Sequence, residues 1–412
     1  MRGMIRCFLA AAPMLVSALV AAPVAAQDAA PPPATPAAAT PAATVVVAFD
    51  RENIRPLIVE GLANKDTGRP VEANDPVRIA SISKLIMALT ALRLMDEGKV
   101  ELDRDVSDYL GWQLRSPHHQ QAPVTLAHLL SHRAGLSDNA GYSIPLGESL
   151  EARLADPAAW RAVGPAGEAA FEYANLGSPI VATVLEAASG ERYDRLVERL
   201  VFKPLGVKAC LNWIGCDSDM QARVVTLYRY TGEVATDGPA KVPTVCAIPV
   251  AEGTPCDLDA YVPGTNASIF SPQGGVRIGM MDLAKIGQAL LRGPDSGLLM
   301  PDTLERLATS AFAGQTGARQ LFCHYGLGLQ VLEMPGSDCD DTLFATGQPW
   351  VGHPGEAYGL LSGLWFDGAG ERGFVYFLTQ APPPPGGEDT GNFTLQEKAL
   401  MARAQALVAE KP

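Results

Sequence analysis

A serine and a lysine stand three residues apart, Ser81 and Lys84, at the start of an apolar segment. Residues with this spacing share one face of a helix, so the hydroxyl and the amine can meet one turn apart. A serine hydroxyl is a poor nucleophile until a neighbouring base takes its proton. A lysine that is partly shielded from water loses its preference for the charged form and can act as that base. The pattern is short, but it predicts a Ser81 nucleophile with Lys84 as its proton partner.

A second group of polar residues is Tyr173-Ala174-Asn175. A phenol beside the serine can relay its proton, and the amide can hold a substrate carbonyl or steady the lysine. The alternative is a buried tyrosine followed by an asparagine in a turn.

A third group is His353-Pro354-Gly355, followed by Glu356. A glycine in a strand lets a ligand approach the backbone closely. The backbone N–H of Glu356 could then contribute to an oxyanion hole. The histidine could contact a substrate carboxylate or steady the tyrosine, and both interpretations remain open.

The patterns S-x-x-K, Y-A-N and H-x-G in this order resemble the serine β-lactamase and penicillin-binding protein superfamily. The likeness is greatest to the branch of class C β-lactamases, D-alanyl-D-alanine carboxypeptidases and related esterases. It extends from about Val45 to Val408. Four flanking segments are also similar to family segments: His128–Leu136, Ser271–Gly275, Met281–Ala284 and Tyr325–Gly328.

The resemblance implies a role for each candidate residue. Ser81 is the acylated nucleophile and Lys84 its proton partner. Tyr173 is the general acid/base, and Asn175 contacts the substrate. No metal or organic cofactor is implied.

The third group then lies on the strand that borders the substrate. His353 and Gly355 belong to this strand, and the backbone N–H groups of Ser81 and Glu356 are the oxyanion donors. A competing H-x-G at 324–326 is rejected, because it falls on the strand that precedes this motif and adjoins a cysteine.

One departure from the family concerns this third motif. Efficient class C β-lactamases have K-T-G, whereas this chain has His353 and Pro354. A neutral histidine attracts a carboxylate less well than a permanent cation, and proline removes a backbone donor. We therefore expect a serine hydrolase that acts on a small ester, amide or D-amino-acid peptide. The alternatives are a true class C-like β-lactamase or DD-carboxypeptidase, and a catalytically silent protein that binds cell-wall peptide or a partner protein.

The elements that would position these residues follow from residue patterning. Ser81–Glu97 is apolar on nearly every face, which predicts a buried helix. Further helices are expected from Ser178, as the N-cap, to Gly190, from Leu283 to Leu291, and from the capping box at Thr394 to about Val408. The predicted strands are Val45–Asp50, Leu57–Gly61, His324–Glu333, Ala357–Phe366 and Gly373–Gln380.

Strands near both ends of the chain predict one sheet, built from about 44–80 and 320–409, with a helical region inserted between. The expected fold is α/β, a three-layer α-β-α domain with an antiparallel sheet and a mostly helical region. This is the β-lactamase/transpeptidase-like arrangement that the resemblance implies, over residues 44–409.

The N-terminal residues predict export. Residues 1–26 have two arginines, an apolar run and a small-residue cleavage site, which is typical of a secretory signal peptide. Residues 27–43 are almost all alanine and proline and are expected to form an extended linker. The mature protein is expected in the periplasm or secreted, with no membrane span and with its oligomeric state open.

The net charge limits the classes of binding partner, and the cysteine count indicates disulfides. Without Arg2 and Arg6 of the signal, 30 basic residues remain against 45 acidic ones, a net charge of −15. Such a chain is poorly suited to nucleic acid, so the expected partner is a small-molecule or cell-wall peptide substrate. Six cysteines remain, which suggests disulfides rather than zinc, because no C-x-x-C occurs. Among fifteen connectivities we expect neighbour pairing: 210–216, 246–256 and 323–339.

Overall fold

The computed structural model describes residues 41–238, 246, 248–317, 322–381 and 393–410. The predicted signal peptide, and the predicted linker up to residue 40, lie outside the described residues. In the described part of the chain, no helix is both long enough and apolar enough to cross a membrane.

The strands of the described residues are β1 Ala43–Asp50, β2 Ile54–Asn64, β3 Arg69–Pro70, β4 Val77–Arg78, β5 Ala209–Leu211, β6 Leu227–Tyr228, β7 Val234–Thr236, β8 Val276–Ile278, β9 His324–Tyr325, β10 Gln330–Leu332, β11 Trp350–Ala357, β12 Leu360–Asp367 and β13 Arg372–Thr379. The α-helices are α1 Ile82–Asp96, α2 Ser107–Leu110, α3 Leu126–Leu130, α4 Leu150–Leu154, α5 Gly177–Ser189, α6 Tyr193–Val197, α7 Ser218–Arg223, α8 Met280–Arg292, α9 Pro301–Ala313 and α10 Leu395–Ala409.

Eight strands form the main sheet in the order β3-β2-β1-β13-β12-β11-β10-β9. All of its pairs are antiparallel. The first strand, β1, pairs with the last, β13, so that Val46 lies opposite Tyr376. Segments from the two ends of the chain therefore meet at the centre of one sheet. A smaller antiparallel sheet, β4-β8-β5, lies in the region between them.

The two faces of the main sheet bury different side chains, because alternate residues of a strand face opposite sides. Val45 and Val47 join the larger apolar core, which includes residues of α1, α5 and α8. Val46 and Tyr376 join a second core together with Met401 of α10. Helices thus cover both faces, and the predicted three-layer arrangement with an antiparallel sheet is confirmed.

Helix α1 lies inside the larger core. Twelve of its fifteen residues are buried, as expected for a helix that is apolar on nearly every face. It packs against α5 and against β11 and β12 of the main sheet. The helix ends before Gly98, whose φ of 68° is a left-handed conformation typical of a helix terminus.

Three predicted boundaries are wrong in detail. Helix α5 starts at Gly177, and Ser178 is a buried residue of its first turn rather than the N-cap. The segment 324–333 forms two short strands, β9 and β10, because Gly326 and Gly328 make the turn between them. Ala357 belongs to β11, and the turn to β12 falls at Tyr358 and Gly359, both with positive φ.

The cysteines form the three predicted neighbour pairs. The disulfides are Cys210–Cys216, Cys246–Cys256 and Cys323–Cys339. The capping box at the start of α10 is also confirmed, since Thr394 and Glu397 exchange hydrogen bonds at the helix N-terminus.

Candidate active site

Ser81 occupies the N-cap position of α1 and is partly exposed. Its hydroxyl makes no capping hydrogen bond, so it is available for other contacts. The preceding residue, Ala80, has a φ of 48°, which is strained for a residue with a Cβ. The strained backbone turns into a helix whose N-terminal dipole favours negative charge near Ser81.

Lys84 lies one turn further along α1 and is 1% exposed. Its ammonium donates hydrogen bonds to Ser81 Oγ at 3.1 Å, Asn175 Oδ1 at 2.8 Å and the carbonyl of Gln273 at 3.0 Å. Burial lowers the pKa of Lys84 from 10.5 to about 7, against the opposing attraction of Asp138. With a pKa near 7, Lys84 can gain or lose its proton at neutral pH.

The Asn175 amide is held by Asp138. One Asp138 carboxylate oxygen accepts from Asn175 N at 3.0 Å and from its Nδ2 at 2.9 Å, and the other accepts from Leu176 N at 2.9 Å. Because the amide nitrogen is taken by Asp138, the amide oxygen faces Lys84. Asp138 thus fixes the orientation of Asn175 and adds a negative charge near the lysine.

The Tyr173 ring lies beside Lys84, with the ammonium 4.7 Å from the ring centroid. The ring stacks on Phe322 at 4.5 Å between centroids and packs against His132, also at 4.5 Å. Its hydroxyl is buried and has no well-formed hydrogen bond in the part of the chain that the structure describes. Burial raises the pKa of Tyr173, and nearby Ser81 opposes this rise, so the phenol is protonated at neutral pH.

His353 of β11 is completely buried. Its Nε2 lies 3.1 Å from the Tyr325 hydroxyl and its Nδ1 lies 2.6 Å from the Pro354 carbonyl. Burial, together with the charge of Lys84, lowers the pKa of His353 to about 3. The ring is therefore neutral and lies under Tyr173, with 6.3 Å between the ring centroids.

The second half of β11 pairs with β12 alone among the strands that the structure describes. Pairing with β10 ends at Gly352, whereas pairing with β12 continues to Ala357. Proline in a strand is tolerated where its nitrogen faces away from the ladder, so the Pro354 nitrogen faces away from β12. Backbone N–H groups two residues apart face the same side, which directs the N–H of Glu356 to that side as well.

Gly355 allows close contact between β11 and the segment before Ser81. A Cβ at this position would lie 2.3 Å from the Ile79 carbonyl oxygen and 2.4 Å from Ser362 Oγ. The Ser362 hydroxyl donates to the same Ile79 carbonyl at 3.2 Å. The glycine therefore holds the strand against the backbone of 79–81.

The three sequence motifs thus supply side chains to one place. Lys84 contacts Ser81, Asn175 and the Tyr173 ring, and His353 lies beside the tyrosine. The rejected motif at 324–326 also contributes, through Tyr325.

Sequence reasoning assigned no role to several other residues that contact the motifs. Asp138 and His132 lie in or just after the segment that resembles the family's L-L-S-H segment, and Tyr325 begins the Y-G-L-G segment. The similarity of these segments to family segments was the sequence signal that could have identified Asp138, His132 and Tyr325. Phe322, which stacks on Tyr173, lies three residues before Tyr325, the first residue of the Y-G-L-G segment. No sequence pattern marks it.

One group of metal-binding side-chain types lies together within the described residues: Cys323, Cys339 and Asp341. The two sulfurs are joined in a disulfide and present no thiolate, so this group does not have the donors of a metal site.

The main sheet with helices on both faces, and a serine–lysine pair at the start of a buried helix, define the β-lactamase/transpeptidase fold class. The chain belongs to the β-lactamase family, whose model matches residues 19–397.

Curated relatives include enzymes that differ in their named activities. Esterase EstB of Burkholderia gladioli is 30% identical over 170 residues, covering 37% of this chain and 42% of the esterase. Penicillin-binding protein 4 of Amycolatopsis lactamdurans is 24% identical over 259 residues, covering 61% and 65%. The D-alanyl-D-alanine-carboxypeptidase/endopeptidase AmpH of Escherichia coli (strain K12) is 31% identical over 140 residues, covering 32% and 35%. The chain spans less than two thirds of each of these relatives.

Solved structures share the fold over most of both chains. The D-amino acid amidase from Ochrobactrum anthropi SV3 superposes with a TM-score of 0.62 and 17% identity, covering 90% of this chain and 95% of the amidase. A class C β-lactamase superposes with a TM-score of 0.60 and 16% identity, covering 90% and 92%.

Proposed function

We propose that this protein is an exported serine hydrolase that works through an acyl-enzyme on Ser81. Neutral Lys84 takes the hydroxyl proton as Ser81 Oγ attacks a substrate carbonyl. The negative charge on the carbonyl oxygen is stabilised by the backbone N–H groups of Ser81 and Glu356. The carbonyl re-forms as the leaving group departs with a proton, and water then releases the acyl group from Ser81.

The observation that carries this proposal is the environment of Lys84. Its ammonium lies 3.1 Å from Ser81 Oγ, and burial lowers the pKa of Lys84 to about 7. A lysine with this pKa is protonated or neutral in comparable amounts at neutral pH. It can therefore accept the serine proton and return it later, as general acid–base catalysis requires.

Tyr173 is proposed as the acid that protonates the leaving group. Its raised pKa keeps the phenol protonated until the leaving group develops negative charge. His132 and His353 position the ring from below and, being buried with lowered pKa values, add no positive charge. Asn175 is proposed to orient Lys84 and to contact the substrate.

The proposed substrates are small esters, amides or D-amino-acid peptides rather than β-lactams. The supporting observation is that His353 is neutral and fully buried, so it presents no cation to the carboxylate of a β-lactam. The named activities of the relatives, an esterase and a D-alanyl-D-alanine carboxypeptidase, agree with this range of substrates.

Export is proposed from the predicted signal peptide at 1–26 and is supported by the three disulfides. Disulfides persist in oxidising compartments such as the periplasm, where we place the mature domain, residues 44–409.

The test is the intact mass of the protein after exposure to a fluorophosphonate, with Ser81→Ala in parallel. One stoichiometric adduct on the wild type and none on the variant is expected. A folded wild type that stays unmodified would contradict the proposal and favour a binding protein. If the wild type is labelled, its kinetics are measured on a p-nitrophenyl ester, a D-alanyl peptide and a chromogenic cephalosporin. Rapid turnover of the cephalosporin would overturn the proposed substrate range.

A further inference from the structure

We infer that Arg78, together with Tyr142 and Tyr358, binds a carboxylate on the acyl part of the substrate. The preferred substrates are then esters or amides whose acyl part carries a negative charge. This inference rests on the proposed function, because it names the substrate class of the same site.

Arg78 is linked to the reacting groups through the loop that contains Ser271 and Gln273. It is the last residue of β4 and precedes Ser81 by three positions. Its Nη2 donates to Ser271 Oγ at 3.3 Å, and Ser271 is two residues from Gln273, whose carbonyl accepts from Lys84. One short loop therefore contacts both the guanidinium of Arg78 and the ammonium of Lys84.

The charge of Arg78 has no counter-ion among the described residues. Among the residues that the structure describes, no acidic side chain forms an ion pair with Arg78, and its buried Nε has no hydrogen-bond acceptor. Its neighbour across the strand pair, Arg277 on β8, differs in this respect, because Asp237 pairs with it at 2.7 Å. A partly buried guanidinium without a counter-ion is costly, and a ligand carboxylate would supply one.

Two tyrosines complete the subsite. The Arg78 guanidinium lies 5.2 Å from the centroid of the Tyr358 ring, and Tyr358 is 42% exposed. Burial is the main cause of the raised pKa of Tyr142. Tyr358, Asp138 and Arg78 also act on this pKa electrostatically, so these groups lie near the Tyr142 hydroxyl. A phenol hydroxyl can donate a hydrogen bond to a carboxylate.

The position of the subsite indicates the acyl part rather than the leaving group. Tyr358 lies two residues after Glu356, the proposed oxyanion donor of β11. Tyr173, the proposed acid for the leaving group, contacts a different set of residues that includes Phe322 and His132. The leaving group departs towards Tyr173, which leaves the side of Arg78 and Tyr358 for the acyl chain.

The test compares matched substrates. The p-nitrophenyl half-esters of glutaric and adipic acid carry a terminal carboxylate, whereas the p-nitrophenyl esters of pentanoic and hexanoic acid do not. Rates with Ser81→Ala are subtracted, because a half-ester's own carboxylate can attack its carbonyl. The wild type is expected to prefer a half-ester. In Arg78→Gln the ratio of kcat/KM for half-ester over plain ester falls about 10- to 100-fold, the range of a charge-assisted hydrogen bond.

Two further variants separate binding from structure. Arg78→Lys keeps the charge and is expected to restore part of the ratio. Arg55→Gln removes a half-buried arginine from β2, which is separated from β11 by three strands, and leaves the ratio unchanged. A wild type without preference, or a ratio that Arg78→Gln does not change, overturns the inference.

Failure of the proposed function gives a different result. If the wild type hydrolyses none of the esters and takes no fluorophosphonate, the hydrolase proposal fails. The subsite is then tested by calorimetric titration of glutarate into the wild type and Arg78→Gln. Binding that the variant loses supports the subsite, whereas equal binding, or none by the wild type, overturns it.

Discussion

At the scale of single residues, the site keeps positive charge scarce around Lys84. The two histidines nearest to it, His132 and His353, are buried, and both have pKa values below the ordinary value because of burial and of the lysine's own charge. Asp138 provides the opposing negative charge through Asn175. The pKa of Lys84 therefore results from burial, which lowers it, and from one carboxylate, which raises it.

This balance predicts the pH dependence of activity. Lysine loses its proton as pH rises, so kcat/KM for a neutral ester is expected to rise through about pH 7 to a plateau. Asp138→Asn removes the attraction that raises the pKa of Lys84, and the rise moves to lower pH. The plateau also falls on the order of 10-fold, because Asn175 loses its fixed orientation.

The measurement is a pH–rate profile of both proteins. Asp108→Asn, at an exposed aspartate paired with Arg104, is the matched control and keeps the rise at about pH 7. A profile that does not move in Asp138→Asn would assign the rise to a group other than Lys84.

At this scale the sequence predicted local geometry and not the contacts that cross the chain. The three-residue spacing of Ser81 and Lys84 is sufficient, because a helix brings the two side chains together. The bond from Asp138 to Asn175 spans 37 positions and depends on how two loops pack. No local pattern encodes such a contact.

At the scale of elements, a disulfide anchors the strand that supports Tyr173. Cys323 is bonded to Cys339 and lies between Phe322, which stacks on Tyr173, and β9, whose Tyr325 contacts His353. Strand β9 has two residues; it pairs with β10 in the main sheet and forms a bridge to Gln315 on its other side. The covalent link adds a further constraint to this short strand.

The double variant Cys323→Ala/Cys339→Ala tests this role. Its kcat is expected to fall about 10-fold or more, because Phe322 and Tyr325 lose their fixed positions and Tyr173, the proposed acid, is displaced. The control is Cys246→Ala/Cys256→Ala. The two disulfides span 16 and 10 residues, so either variant is expected to lose about 3 kcal/mol of stability.

Thermal unfolding and kcat on one ester are measured for both variants. Similar losses of stability with a loss of kcat only in the 323/339 variant are expected. Equal kcat values for the two variants would show that this disulfide stabilises the fold without positioning Tyr173.

The sequence predicted elements well where a local signal ends them. The capping box at Thr394 and the glycine after α1 are such signals, and both ends lie where expected. The segment 324–333 has the composition of one strand, and its division follows from packing. Gly328 has a φ of 81°, and a Cβ there would lie 2.6 Å from the Cβ of Ala88 in α1. The turn is therefore set by a helix far away in sequence.

At the scale of the whole molecule, the sheet joins both ends of the chain and the intervening helical region carries half of the site. One antiparallel sheet built from strands near both ends of the chain was predicted, whereas the order of its strands was not. The residues that hold the helical region together were not predicted either. One of them is Glu186 of α5, the helix that begins two residues after Asn175.

Glu186 is fully buried and joins three segments of the helical region. Its carboxylate accepts hydrogen bonds from Tyr193 N at 2.8 Å, Tyr261 Oη at 2.5 Å and Gly264 N at 2.9 Å. Burial raises the pKa of Glu186 from 4.5 to about 7, although these three bonds oppose the rise.

This raised pKa makes the stability of the whole fold depend on pH. Between pH 4.5 and about 7 the folded protein retains a proton on Glu186 that the unfolded chain releases, so the free energy of unfolding falls as pH rises. The full effect is about 3 kcal/mol and is reached above pH 7.

The test is urea denaturation of the wild type and Glu186→Gln from pH 4.5 to 8. Because Glu186→Gln does not titrate, its free energy of unfolding should rise relative to that of the wild type as pH rises. Asp295→Asn, at an exposed carboxylate paired with Arg51 and absent from the surroundings of Glu186, serves as the control and should follow the wild-type slope. Parallel curves for the wild type and Glu186→Gln would mean that Glu186 is ionised throughout this range and that its three donors outweigh burial.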